Sequence, residues 1–250
     1  MLAQIRLINY VEGADIAVSG HWFKSCNWLM IEHIFPTAIY KSNVSCPQKE
    51  WEGMMDFCKE FYYKNLEEIE DTGNFTGDQD IPKFFLLHKT KEFYWLNAQM
   101  AHATRQYLSG MCRQTDSDED YVHDIFFQKS WPNVCRLEDG GNPDHLHKGS
   151  HFSGIYYLRT EGDGGTLTLA SESYMDNLPL NVLDDYCVYN LDPKDGDLII
   201  FPSNILHRVT EFNGVDFRAS IVYDIFVTST INVDHNYENV VTSPHHWVQV

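Results

Sequence analysis

The sequence predicts a mainly β fold in which about eight short strands form a jelly roll, with two α-helices packed on one of its sheets. Between residues 121 and 227, short apolar or alternating segments are separated by turn-forming residues. Before residue 113, two longer segments instead repeat their apolar residues at helical spacing. The chain has 250 residues and is 43% hydrophobic, which is enough for one substantial core. A single main domain is therefore expected.

Residues 1–30 are interpreted as an N-terminal extension. Short apolar stretches alternate around Gly13 and Gly20, which predicts an added hairpin or strand pair. Charged residues interrupt these stretches, so neither a signal peptide nor a membrane span is expected. The main domain is predicted to span residues 31–250, with its first strand over residues 30–40 and a C-terminal tail from about residue 230.

Two amphipathic helices are predicted before the strand-rich part. Over residues 47–69, apolar side chains follow at spacings that place them on one helical face. They are Trp51, Met54, Met55, Cys58, Phe61 and Tyr62. Residues 92–112 carry a second apolar stripe. Its members are Phe93, Leu96, Met100, Ala103, Tyr107 and Leu108. Each helix can therefore cover a sheet.

The strands of the jelly roll are predicted from apolar runs that lie between turns. Their ranges are 122–129, 133–137, 153–159, 166–170, 187–189, 197–201, 207–209 and 218–227. Residues 171–185 interrupt this pattern with Asn177 and Pro179. They predict a long excursion at the mouth of the barrel, which is either a mobile loop or a substrate lid.

Three histidines in this part of the chain predict a metal site. His145 and His147 lie two positions apart, so on a regular strand both side chains project from the same face. His207 follows sixty positions later (207 − 147 = 60), far enough for the chain to cross a barrel and return to the same mouth. Imidazole suits Zn, Cu, Fe and Ni, so the ligand type leaves the metal open.

A carboxylate-binding pair is predicted on a later strand. Arg218 and Ser220 are two positions apart and share one face of that strand. A guanidinium binds a carboxylate through two hydrogen bonds, and a neighbouring hydroxyl can add a third. A metal site combined with such a pair is typical of a site for an oxo-acid cosubstrate.

The order of these segments resembles the Fe(II)- and 2-oxoglutarate-dependent dioxygenases, whose fold is the cupin-like double-stranded β-helix. The chain is most similar to phage and bacterial oxygenases related to prolyl hydroxylases, over roughly residues 31–227. The resemblance is carried by residues 34–40, 131–134, 145–150, 152–158, 164–167 and 201–207. Each segment is short, but their common order and spacing are specific.

The resemblance implies a role for six residues. The implied Fe(II) ligands and catalytic residues are His145, His147 and His207. The implied 2-oxoglutarate-binding residues are Arg218, which would hold the distal carboxylate, its neighbour Ser220, and Tyr157. The implied reaction consumes O2 and converts 2-oxoglutarate to succinate, coupled to hydroxylation of an unknown prime substrate. That substrate would be a peptidyl side chain, as in prolyl hydroxylases, or a small metabolite.

One position departs from the family pattern. Most of the superfamily has His-x-Asp where this chain has His145-Leu-His147, so the usual ligating carboxylate is missing. Asp144 could replace a histidine as ligand, although on a regular strand its side chain points to the opposite face. Two alternatives therefore stay open. One is a three-histidine, cupin-like metalloenzyme that uses O2 without a cosubstrate, and the other is a catalytically silent binding barrel.

Composition limits the partners and the compartment. The formal charge is −18, from 36 acidic and 18 basic residues, which argues against nucleic-acid binding and favours a neutral or cationic substrate. No membrane association is expected. The six cysteines form no C-x-x-C pair, so reduced thiols and a cytoplasmic location are expected.

Overall fold

The computed structural model describes residues 17–18, 21–22, 37–64, 86–111, 123–136, 141–160, 165–170, 188–214, 216–229, 244–246 and 248. The chain divides into two compact units, Met1–Ala38 and Ile39–Val250. In the first unit, β1 (Ala17–Val18) pairs antiparallel with β2 (His21–Trp22). This pair lies within residues 1–30, where the sequence predicts a hairpin or strand pair.

The second unit is built on two antiparallel sheets. Its strands are β3 (Tyr40–Asn43), β4 (His123–Arg136), β5 (Asn142–His145), β6 (Phe152–Arg159), β7 (Leu167–Ala170), β8 (Val188–Leu191), β9 (Asp197–Pro202), β10 (Leu206–Val209) and β11 (Phe217–Ser229). One sheet has the order β3-β9-β6-β11-β4, and the other has the order β5-β10-β7-β8. This is the predicted jelly roll, the double-stranded β-helix.

Two helices cover the five-stranded sheet, as predicted. Helix α1 (Gln48–Lys64) and helix α2 (Tyr94–Met111) bury the predicted apolar faces. Phe93 lies in a 3₁₀ turn, Lys91–Phe93, that leads into α2. Gly154 allows α2 to approach β6 closely, because a Cβ at this position would lie 2.6 Å from the Sδ of Met100. Neither described helix is long and apolar enough to cross a membrane.

Strand alternation gives the five-stranded sheet two different faces. On one face, Tyr156, Ala219, Ile221 and Tyr223 join the core that the helices complete. A second apolar cluster joins residues of the two sheets. Its buried members are Ile155, Tyr157, Leu167, Leu169, Leu191, Ile199, Phe201 and Val209. Alternate residues of β6 and β11 therefore face the space between the sheets, where the site lies.

Several predicted boundaries differ from the structure. The strands expected over 122–129 and 133–137 are one continuous strand, β4, which includes Pro132. Proline is tolerated there because β4 is an edge strand, where a missing N–H breaks no pairing on the open side. Within the described residues, the strand expected over 30–40 begins only at Tyr40. Most of that range, the 171–185 excursion and residues 230–243 of the tail lie outside the described residues.

The thiol of Cys58 is predicted to be inert in the folded protein. Cys58 is fully buried on α1, and burial raises the pKa of its thiol to about 12. The reactive thiolate is then a trace species at neutral pH. We expect iodoacetamide to leave Cys58 unmodified under native conditions and to modify it in denaturant, as read by peptide mass spectrometry. Equal labelling rates in both conditions would contradict the burial of this side chain.

Candidate metal and cosubstrate site

Strand pairing brings the three predicted histidines together. His207 on β10 lies directly opposite His145 on β5 in the antiparallel register. His147 follows two residues after His145, beyond the end of β5 rather than within a strand as predicted. The backbone N–H of His147 donates to the carbonyl of Ser203, which holds this segment beside the turn between β9 and β10. The potential ligand atoms of the three histidines all lie within 4.8 Å of one another.

Two of these imidazoles are oriented by the backbone. The Nδ1 of His145 lies 2.8 Å from the carbonyl oxygen of Pro143, and the Nδ1 of His207 lies 2.9 Å from that of Ile205. A carbonyl oxygen only accepts, so each Nδ1 carries the proton and donates it. Each Nε2 therefore keeps its lone pair for a metal ion.

Both of these imidazoles are neutral at physiological pH. Burial lowers the pKa of His207 to about 3, and burial also lowers the pKa of His145. Neutral imidazole is the form that binds metals, because a protonated ring has no lone pair to donate. The donor set therefore fits a divalent transition metal such as Fe(II).

His147 is held by a carboxylate instead of a carbonyl. Its Nδ1 lies 2.7 Å from Oδ1 of Asp224 and 3.0 Å from the hydroxyl of Ser153. Asp224 was not among the residues predicted from the sequence. Strand alternation from Arg218 through Ser220 would have indicated it, because Asp224 lies on the same face of β11.

The three predicted cosubstrate residues line the same cavity as the histidines. This cavity has a volume of about 570 Å³, and it is lined by His145, His147, His207, Tyr157, Arg218 and Ser220 among other residues. The three non-histidine side chains in this set are nearly fully buried, with at most 2% exposed. The cavity therefore combines a metal-binding group with a buried guanidinium.

The register of β6 determines which of two adjacent tyrosines faces the cavity. Tyr157 lines the cavity, whereas the hydroxyl of Tyr156 donates to the carbonyl of Val44 on the helix-covered side. Burial raises the pKa of Tyr157 to about 12, although the positive charge of Arg218 acts in the opposite direction. The phenol therefore stays protonated and can donate a hydrogen bond to a carboxylate.

Asp144, the alternative ligand, lies outside the histidine cluster, and so does the nearby His151. The carboxylate of Asp144 lies 3.5 Å from Nη1 of Arg208, and both side chains are about half exposed. The ring of His151 stacks on Phe226 with centroids 4.3 Å apart. Neither residue belongs to the group that could hold a metal ion, which consists of the three histidines alone among the described residues.

Two solved structures share this fold with TM-scores just above 0.5, and a third is similar over about half of the chain. AviO1 from Streptomyces viridochromogenes Tue57 matches with a TM-score of 0.52 and 12% identity, over 76% of this chain and 90% of that chain. The non-haem α-ketoglutarate-dependent epimerase SnoN from nogalamycin biosynthesis matches with a TM-score of 0.51 and 9% identity, over 77% and 81%. An oxidoreductase of the 2OG-Fe(II) oxygenase family from Burkholderia pseudomallei has a TM-score of 0.38 and 18% identity, and the match covers 54% of this chain and 55% of that chain.

Residues 129–224 match the family described as "Putative 2OG-Fe(II) oxygenase". This segment is therefore similar to the 2OG-Fe(II) oxygenases, the family that its motifs resemble, and it contains the three histidines that could hold a metal ion. No curated protein sequence matches the chain.

Proposed function

We propose that the protein is an Fe(II)- and 2-oxoglutarate-dependent dioxygenase that hydroxylates its prime substrate. The proposed Fe(II) ligands are His145, His147 and His207. The proposed 2-oxoglutarate-binding residues are Arg218, Ser220 and Tyr157. The observation that carries the proposal is the position of both sets on the walls of one cavity.

Each set supports a distinct part of this function. Bound Fe(II) and 2-oxoglutarate supply the oxidising chemistry, in which O2 and the oxo-acid are consumed and succinate and CO2 are formed. The histidines would hold the metal through their Nε2 atoms, because their Nδ1 contacts fix the ring orientations. Arg218 would bind the distal carboxylate through two hydrogen bonds, with the hydroxyls of Ser220 and Tyr157 as further donors.

The buried end of the cavity gives the cosubstrate a fixed orientation in this proposal. Arg218, Ser220 and Tyr157 are almost inaccessible to water, so their hydrogen bonds to a carboxylate would be made in a poorly hydrated site. Such bonds are stronger than the same bonds at a surface. The prime substrate would enter from the open side, and we propose a peptidyl side chain or a small metabolite.

The test is a coupled turnover measurement on the full chain loaded anaerobically with Fe(II). We expect O2 uptake and stoichiometric succinate formation that both require 2-oxoglutarate. O2 uptake that continues without 2-oxoglutarate would favour the cosubstrate-independent three-histidine enzyme. Metal and 2-oxoglutarate binding without any succinate, across peptide and metabolite substrates, would favour the silent barrel.

Gly165→Ala is expected to weaken 2-oxoglutarate binding about tenfold while metal binding is retained. Gly165 has a positive φ of 76°, and a Cβ there would lie 2.9 Å from Nη1 of Arg218 and 2.8 Å from the carbonyl of Thr210. A methyl group would strain the backbone and displace the guanidinium, each at a cost of the order of 1 kcal/mol. The measurement is calorimetric titration of the metal-loaded protein with 2-oxoglutarate.

Gly149→Ala is the matched control for this substitution. Gly149 also has a positive φ, of 90°, but a Cβ there would meet nothing within 4 Å. The control therefore introduces backbone strain without contact with the cosubstrate residues. Equal 2-oxoglutarate affinities in the two variants would show that displacement of Arg218 is not the cause.

A further inference from the structure

The three imidazoles differ in the charge of the group that accepts their Nδ1 proton. The acceptors for His145 and His207 are neutral backbone carbonyls. The acceptor for His147 is the carboxylate of Asp224, at 2.7 Å. Among the three, therefore, only His147 makes its Nδ1 contact with a carboxylate.

The contact between His147 and Asp224 is shielded from solvent. Their side chains are 8% and 3% exposed, so the carboxylate and the ring interact with little water between them. The ammonium of Lys129 also lies near Asp224, with its Nζ 3.6 Å from Oδ2, but the Lys129 side chain is 52% exposed. Solvent screens such a half-exposed pair and weakens it. The closest partner of the Asp224 carboxylate is thus the buried His147 ring.

Strand geometry fixes the position of this carboxylate. Asp224 lies opposite Ser153 on β6 and opposite Lys129 on β4. The hydroxyl of Ser153 lies 3.0 Å from the same Nδ1 of His147. Asp224 is therefore held between two neighbouring strands, and its orientation toward His147 does not depend on a loop.

His147 is also the residue at which the metal motif departs from His-x-Asp. A metal bound by three neutral imidazoles lacks the negative charge that the usual carboxylate ligand provides. A carboxylate that accepts the Nδ1 proton of a ligating histidine makes its Nε2 more basic and fixes the ring orientation. The negative charge that the ligand set lacks is thus carried by Asp224, which contacts His147, the residue that occupies the position of the usual aspartate.

We propose that Asp224 is a positioning residue that supplies, through His147, the negative charge that a ligating aspartate would supply in a His-x-Asp site. The inference rests on the proposed function, because it requires a metal ion on the three histidines. It adds that His147 is the most strongly donating of the three ligands.

The first experiment titrates the full chain with Co²⁺ alone and compares wild type with Asp224→Asn. The asparagine keeps the shape and an acceptor oxygen but removes the charge. We expect about 10- to 100-fold weaker Co²⁺ binding, the range typical of lost outer-shell partners, and a changed visible spectrum of the bound Co²⁺. Unchanged affinity and spectrum would overturn the inference.

Asp144→Asn is the matched control. Asp144 is an exposed carboxylate next to His145 that pairs with Arg208, so this variant loses a nearby charge without touching an imidazole nitrogen. We expect it to bind Co²⁺ as wild type does. A loss equal to that of Asp224→Asn would mean that general charge near the cavity, rather than Asp224, sets the affinity, and would overturn the inference.

A second measurement uses only the wild-type chain, loaded with Zn²⁺ and labelled with ¹⁵N-histidine. In its NMR spectrum we expect one ligand Nδ1 proton well downfield of the other two, since a hydrogen bond to a carboxylate is stronger than one to a carbonyl. Three similar shifts would overturn the inference even if Asp224→Asn failed to fold.

These experiments distinguish an error in the proposed metal site from an error in the proposed role of Asp224. Wild type that binds no Co²⁺ would overturn the metal site and this inference together. Wild type that binds Co²⁺, with loss of binding in His207→Ala but not in Asp224→Asn, would overturn the role of Asp224 alone and leave the proposed function intact.

Discussion

His207→Ala is expected to abolish metal retention. His207 is 3% exposed and faces both other imidazoles, with its ring centroid 4.2 Å from that of His145 and 4.9 Å from that of His147. Loss of a direct ligand should exceed the loss of about 10- to 100-fold that follows removal of an outer-shell partner. The measurement is the iron content of anaerobically loaded and desalted protein, determined by mass spectrometry.

The control for this prediction is His102→Ala. His102 is an exposed histidine on α2, so its removal changes the histidine count without touching the cavity. We expect iron content equal to wild type in this variant. Equal iron content in wild type and His207→Ala would refute the ligand assignment.

Arg218→Ala is expected to lower the affinity for 2-oxoglutarate about 100- to 5,000-fold while the metal is retained. A buried charged pair typically loses 3–5 kcal/mol when one partner is removed, which corresponds to this range. Arg218→Lys should fall between wild type and the alanine variant, because an ammonium keeps the charge but cannot form the paired hydrogen bonds of a guanidinium. Calorimetric titration with 2-oxoglutarate and iron analysis together provide the measurement.

Arg105→Ala serves as the control for Arg218→Ala, because Arg105 is exposed on α2 and far along the chain from the cavity residues. It should bind 2-oxoglutarate as wild type does. If Arg218→Ala bound 2-oxoglutarate normally, the assignment of the carboxylate site would be wrong. If it lost iron and 2-oxoglutarate together, the two sites would not be separable as proposed.

Alternation along strands is the reason that much of the cavity could be predicted. The period of two placed Arg218 and Ser220 on one face of β11, and the structure has both on the cavity side. The same rule implied that only one of Tyr156 and Tyr157 could line the cavity. It could not tell which, because the answer depends on the register between β6 and β11, which is set by tertiary pairing.

Other features of the site depend on backbone groups. These are the same in every residue, so the sequence does not reveal which of them contact the histidines. Pro143 and Ile205 hold the imidazoles of His145 and His207 through their carbonyl groups, which every residue possesses. The position of His147 beyond the end of β5 also follows from where pairing with β10 stops, and not from any motif. These contacts could be recognised only from coordinates.

The helix starts predicted at residues 47 and 92 lie within two residues of the observed starts, Gln48 and Tyr94, because amphipathic spacing is a local signal. Met54, Cys58 and Phe61 are buried on α1, as their spacing required. The predicted ranges 122–129 and 133–137 wrongly divided β4, which runs without a break through Pro132. Whether proline interrupts a strand depends on whether that strand lies at an edge of its sheet, and edge position is a property of the whole fold.

The two faces of β11 should differ in which amino-acid substitutions they tolerate. Ala219, Ile221, Tyr223 and Ile225 serve only the helix-packed core, whereas the residues between them serve the cavity. Conservative apolar exchanges at the odd-numbered positions should alter cellular abundance and leave turnover per molecule unchanged. Exchanges at the even-numbered positions should instead lower turnover per molecule, so that neighbouring positions of this strand would differ in which property a substitution changes.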